Sequence, residues 1–108
     1  MSGLRAGYKA SVRERLATMA ALLAALRAQS ADIASLQELR RHVHNLAGSG
    51  GTYGFTVLTA AAQAGELRLE ALLAGGAPLS QMHFAELAAL LAQLDAALEA
   101  RVEGRPHA

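Results

Sequence analysis

Apolar residues return every three or four positions in four separate stretches of the chain, and nowhere do they settle into the two-residue alternation of a strand. In the first stretch Tyr8, Val12, Leu16, Met19, Leu23 and Leu26 trace one face of a helix from about Leu4 to Ala28, with Gly7 a weak point in its first turn. Gln29 to Ala31 make a short connection, and Asp32 is placed to cap a second helix whose stripe is Leu36, Leu39, Val43 and Leu46. Glycines end that helix somewhere between Gly50 and Gly54. Thr56 is the expected cap of a third helix, with Leu58, Ala61, Gly65, Leu69 and Leu72 facing inward and Gly75, Gly76 and Pro78 closing it. Ser80 opens a fourth helix with Leu79 and Phe84 as a hydrophobic staple, followed by Leu87, Leu91, Leu94 and Leu98. Arg101 suits the dipole at its end.

Each stripe needs a partner, and four of them joined by short links satisfy one another in an antiparallel four-helix bundle, an all-α fold. Alanine and leucine supply much of the 53% hydrophobic content, while β-branched and aromatic residues are scarce. At 108 residues the expectation is a single domain over 1–108, with a flexible tail from about 103.

Several function classes fall away. Ten basic and nine acidic residues leave a net charge of +1, so nothing calls for nucleic acid or an anionic membrane. There is no cysteine, hence no thiol or disulfide chemistry. No apolar run approaches the ~18 residues of a membrane span, and the first residues lack a signal-peptide core, which makes a cytoplasmic location the expectation.

The stretch HVHNLAGSGGTYGF, residues 42–55, sets two histidines two apart before four glycines, which could mark a helix end, a phosphate loop, a metal site or a histidine that does chemistry. At 100° per residue His44 projects roughly 120° from the centre of the apolar stripe, towards solvent. Gln37 and Arg41 precede it on the same side and Gly48 follows one turn ahead. His42 lies nearer the stripe on the opposite flank, since residues two apart do not share a helix face. A shared metal site is therefore disfavoured, although Glu38 is spaced to pair with His42. The glycines are no Walker loop, because no lysine follows them and no strand precedes them. Ser49 has no evident base in the sequence around it. His83 and His107 read as solvated or locally satisfied. Gly48, Gly50 and Gly51 either allow close helix packing or leave an open surface beside His44 where another protein can approach.

HNLAGSGGTYG resembles the active-helix motif of histidine-containing phosphotransfer (HPt) domains: a histidine, then leucine, glycine and a later glycine, here His44, Leu46, Gly48 and Gly54. The following LTAAAQAGELRLE looks like the helix that returns beside the active one, and the resemblance extends over nearly the whole chain. It implies a phosphorelay intermediate that accepts a phosphoryl group on His44 and exchanges it with an aspartate of a response-regulator receiver domain, or takes it from a hybrid sensor histidine kinase. It implies a phosphoryl carrier rather than an autonomous kinase, with no intrinsic cofactor and magnesium on the receiver partner. Leu46 and Gly54 then serve the motif's structure. Gln37, Gly48, Gly51 and Val57 are the expected docking residues on a monomeric bundle. Many family members carry lysine where this chain has Ala47, and Arg41, with Arg40 second, is the expected source of positive charge near the phosphate. Nε2 is the expected nucleophile. The alternative is a non-catalytic helical adaptor that uses the same surface.

Overall fold

Four helices follow in the order the stripes dictate: α1 (Ser2–Ala28), α2 (Ile33–Ser49), α3 (Thr56–Gly75) and α4 (Gln81–Glu99), with a single 3-10 turn, Gly51–Tyr53, between α2 and α3. They come from a computed structural model that describes residues 2–76 and 78–100, with side chains from Ala6 onward. The expectations for Arg101, His107 and the tail lie outside those residues. Among the described residues there is no strand, and no helix is long and apolar enough to cross a membrane.

Each helix packs against its neighbours in sequence, and α4 closes the ring on α1. Contacts at the two ends fix the antiparallel arrangement. At one end the Leu79 N–H donates to the Ser30 carbonyl at 3.0 Å, tying the α3–α4 link to the α1–α2 link. At the other, Tyr8 of α1 meets Ser49 and stacks on Tyr53 with ring centroids 4.5 Å apart. Lys9 and Arg13 of α1 pair there with Glu99, near the end of α4.

The caps follow local chemistry. Asp32 accepts from the Ser35 N–H at 3.1 Å and the Ser35 hydroxyl at 2.6 Å, which holds its carboxyl below the usual range. Ser80 and His83 cap α4 reciprocally: the Ser80 hydroxyl accepts from the His83 N–H, and His83 Nδ1 accepts from the Ser80 N–H at 3.1 Å. His83 is thus locally satisfied. Leu79 and Phe84 are both buried, as a staple requires.

Four details differ from the sequence reading. α1 runs through Gly7 without a break. Phe55, not Thr56, holds the cap position of α3, and no side chain caps it; Phe55 is buried instead, so its ring anchors the turn. Ala62 rather than Ala61 is buried on α3, and Leu90 joins the α4 core while Leu91 is half-buried. The cause is shared: alanine lines the outer faces as well as the inner ones, so the pattern leaves the rotation of α3 and α4 loose by one residue. Gly65 settles it. An added Cβ there would lie 2.5 Å from Leu90 Cδ1, so the missing side chain lets Leu90 seat against α3.

The glycines at the end of α2 divide into two kinds. A Cβ on Gly48 would meet nothing within 4 Å, whereas one on Gly50 would collide with the Thr59 hydroxyl and crowd two carbonyls, of Leu46 at 3.2 Å and Phe55 at 3.3 Å. Substituting Gly48→Ala should therefore raise stability by up to about 1 kcal/mol through helix propensity. Gly50→Ala should lower it by about 1–3 kcal/mol through overpacking. Urea unfolding of both variants checks this, and equal effects would refute the division.

Candidate functional site

With Leu36, Leu39, Val43 and Leu46 all buried, the geometry of α2 forces His44 outward, and its side chain is 64% exposed. It does not hang free. Nδ1 lies 2.6 Å from Oε2 of Glu66 on α3. The Glu66 side chain is only 18% exposed and belongs to the wall between the two helices. The same Oε2 accepts from Arg40 Nη1 at 3.1 Å, and that nitrogen also reaches Glu70 Oε2 at 3.4 Å. One carboxylate oxygen thus receives both an imidazole and a guanidinium from α2.

An ionised carboxylate is only an acceptor, so the proton of this contact sits on His44 Nδ1. In the neutral ring the lone pair is then on Nε2, which has no hydrogen-bond partner among the described residues. The arrangement is a carboxylate on α3, an imidazole held in one tautomer, and an outward ring nitrogen with its lone pair uncommitted.

The surface ahead of the ring is bare. Gly48 and Gly51 are both exposed, and Gly54 adopts the left-handed conformation at φ 83° that turns the chain into α3. Asn45 and Gln37 are exposed on α2, and Val57, 42% exposed, opens α3. Leu46 is buried and Ala47 half-buried. Nearer the start of α2, a groove of about 470 Å³ is lined by Ala34, Gln37, Glu38, Arg40 and Arg41 of that helix and Leu73 of α3.

The two arginines differ. Arg41 Nη2 donates to both oxygens of Glu38 at 2.5 and 2.6 Å, along α2 itself, and this contact holds the Glu38 carboxyl below its ordinary value. Arg40 instead turns across to α3. Glu38 is therefore occupied and does not pair with His42 in the way its spacing suggested. His42 Nδ1 receives Arg15 Nη1 of α1 at 2.8 Å. Because a guanidinium only donates, this nitrogen is an acceptor and His42 carries its proton on Nε2. No group of three histidine or acidic side chains suited to a metal occurs among the described residues.

Sequence reasoning missed Glu66 and Glu70. They were detectable as the only two acids of α3, one turn apart on a helix otherwise rich in alanine and leucine.

A family model described as Hpt domain matches residues 3–97. The chain belongs to the Hpt domain family. No curated protein and no solved structure matches it significantly. The match covers the four helices of the bundle almost to the end of α4, so the His44 face and its opposing α3 wall both lie inside the Hpt domain.

The second histidine of the Hpt domain gives a pH test. Burial pushes the His42 imidazole below its ordinary value of 6.5; Arg15 and Arg41 push the same way, and Glu38 opposes them. Between the depressed folded value and the ordinary one, the unfolded chain binds more protons at His42 than the folded chain. This contribution to stability is therefore complete above about pH 6.5 and fades as pH falls through the folded value. The urea midpoint should be lower at pH 5 than at pH 7.5, and His42→Gln should shrink that difference. An unchanged difference in the variant would remove His42 as its source.

Proposed function

We propose that this Hpt domain is a phosphorelay intermediate whose phosphoacceptor is His44 Nε2. The observation that carries the reading is the Glu66 contact, which occupies Nδ1 and leaves Nε2 outward on an exposed ring. The donor is an aspartyl phosphate on a response-regulator receiver domain, or a phosphohistidine on a hybrid sensor histidine kinase, in the cytoplasm. The receiver brings the aspartate and its magnesium ion; the chain brings the nucleophile and a docking face made of Gln37, Gly48, Gly51 and Val57.

In the step from a receiver, the Nε2 lone pair attacks phosphorus in line. The Nε2–P bond forms as the acyl P–O bond breaks, and the aspartate carboxylate leaves with the electron pair. The Nδ1 proton stays on the ring, which gains positive charge as the bond forms. Glu66 lies against that charge, so its attraction grows towards the transition state. In the reverse direction the ring leaves as a neutral imidazole. On this reading the chain acts as a phosphoryl carrier rather than an autonomous kinase.

Phosphorus NMR after incubation with a phosphorylated receiver domain and magnesium tests the assignment. Wild type should give a phosphoramidate resonance, and His44→Gln should give none while keeping its helical circular dichroism. A folded wild type that stays unlabelled across several receivers would turn the reading towards an adaptor using the same face. Gly48→Leu separates docking from chemistry. It should slow transfer from a receiver by at least about tenfold, because small displacements of a reacting pair are costly. Labelling by a small phosphoryl donor should be spared.

A further inference from the structure

Arg40 has two engagements and a free edge. A guanidinium carries five N–H donors in a rigid planar fork, and Nη1 supplies two of them. Those two face Glu66 at 3.1 Å and Glu70 at 3.4 Å. Nη2 and Nε donate to nothing among the described residues, and the side chain is 36% exposed. Helical side chains lean towards the helix N-terminus, so the His44 ring leans over the turn that carries Arg40.

The charge around the ring needs such a group. Glu66 touches the imidazole and Glu70 stands one turn further along the same wall, joined to it through Arg40. A phosphoryl group adds about −1.5 to −2 near pH 7, beside two carboxylates. Ala47 provides no cation on the next turn of α2, and Arg41 is committed to both oxygens of Glu38. Arg40 is the cation already fastened to the carboxylate that holds the acceptor ring.

We propose that Arg40 is a two-position cation, parked between Glu66 and Glu70 in the resting chain and presenting its Nη2–Nε edge to the phosphoryl oxygens once Nε2 carries them, with Glu70 setting how readily it leaves. This rests on the reading of His44 as phosphoacceptor. It assigns to an arginine one turn before the histidine the task of balancing the phosphoryl charge, and gives Glu70, which touches neither ring nor phosphoryl, a restraining part.

The experiment uses the purified chain and phosphoramidate, so that no receiver domain enters. Nε2 bonds to phosphorus, the P–N bond of phosphoramidate breaks, and ammonia leaves with the electron pair. Phosphorus NMR reads the steady-state level of phosphohistidine and its decay after donor removal. Arg40→Gln should lower the level about tenfold, the scale of one lost hydrogen bond to a charged group, and Arg40→Lys should recover part of it. Glu70→Gln should raise the level, and the gain should vanish in the Arg40→Gln background, because Glu70 acts through Arg40. The ¹⁵N resonances of His44 should keep the proton on Nδ1 in every variant.

A wild type unlabelled at His44 overturns the phosphoacceptor reading itself. A labelled wild type with Arg40→Gln equal to it in level and decay overturns the role of Arg40 alone. So does a loss that appears in Arg41→Gln instead. If Arg40→Gln loses both its label and the Nδ1 proton signature, Arg40 merely props Glu66. If Glu70→Gln gains equally in both backgrounds, Glu70 is simple repulsion and the parked position has no function.

Discussion

The close approach of α2 and α3 at Gly50 governs the rest of the site. A single side-chain carbon there would collide with the Thr59 hydroxyl, which is buried and without a hydrogen-bond partner. That contact sets the separation of the helices and their register, since Gly50 closes α2 and Thr59 lies in the first turn of α3. Almost two turns beyond Thr59, α3 delivers Glu66 to the side of His44. Were the helices to slide by one turn, the carboxylate would face Arg40 or Gly48 and the imidazole would swing in water. The Tyr8 hydroxyl on Ser49, with its ring against Tyr53 and Phe55, clamps the same junction from α1.

The site therefore combines a rigid back with an open front. The back is a core of leucine side chains that fixes α2, and a half-buried carboxylate between two helices. In front lie glycine and small side chains. An exposed histidine on a lone helix would sample its rotamers and both tautomers. Here one short hydrogen bond from a neighbouring helix removes the choice of tautomer and much of the rotation, at no cost in access to Nε2.

Much of this could be read from the residues. Spacing of leucines and valine placed all four helices, Asp32 and Ser80 announced two caps, and the 100° step put His44 outside and His42 towards the stripe. The Hpt motif lay within one helix and its exit, where local sequence is most informative. What escaped depended on two helices at once. Glu66 is twenty-two positions from His44, and its partner depends on a register that periodicity does not encode. The Arg15–His42 bond crosses between α1 and α2 in the same way, so spacing along α2 nominated Glu38 instead. Alanine hid the rotation of α3 and α4, because it is at home inside and outside alike. Thr56 looked like a cap, but the chain buries Phe55 at that corner and the ring's packing decides the geometry.

Two imidazoles two positions apart on α2 are held in opposite proton arrangements. His44 donates from Nδ1 to a carboxylate, while His42 accepts at Nδ1 from a guanidinium and is partly enclosed between helices. They point to different flanks and cannot hand a group from one to the other. On the proposed reading each molecule stores one phosphoryl or none, a single binary digit. The amount of signal in transit then equals the number of occupied copies, with no doubly loaded state to distort the count.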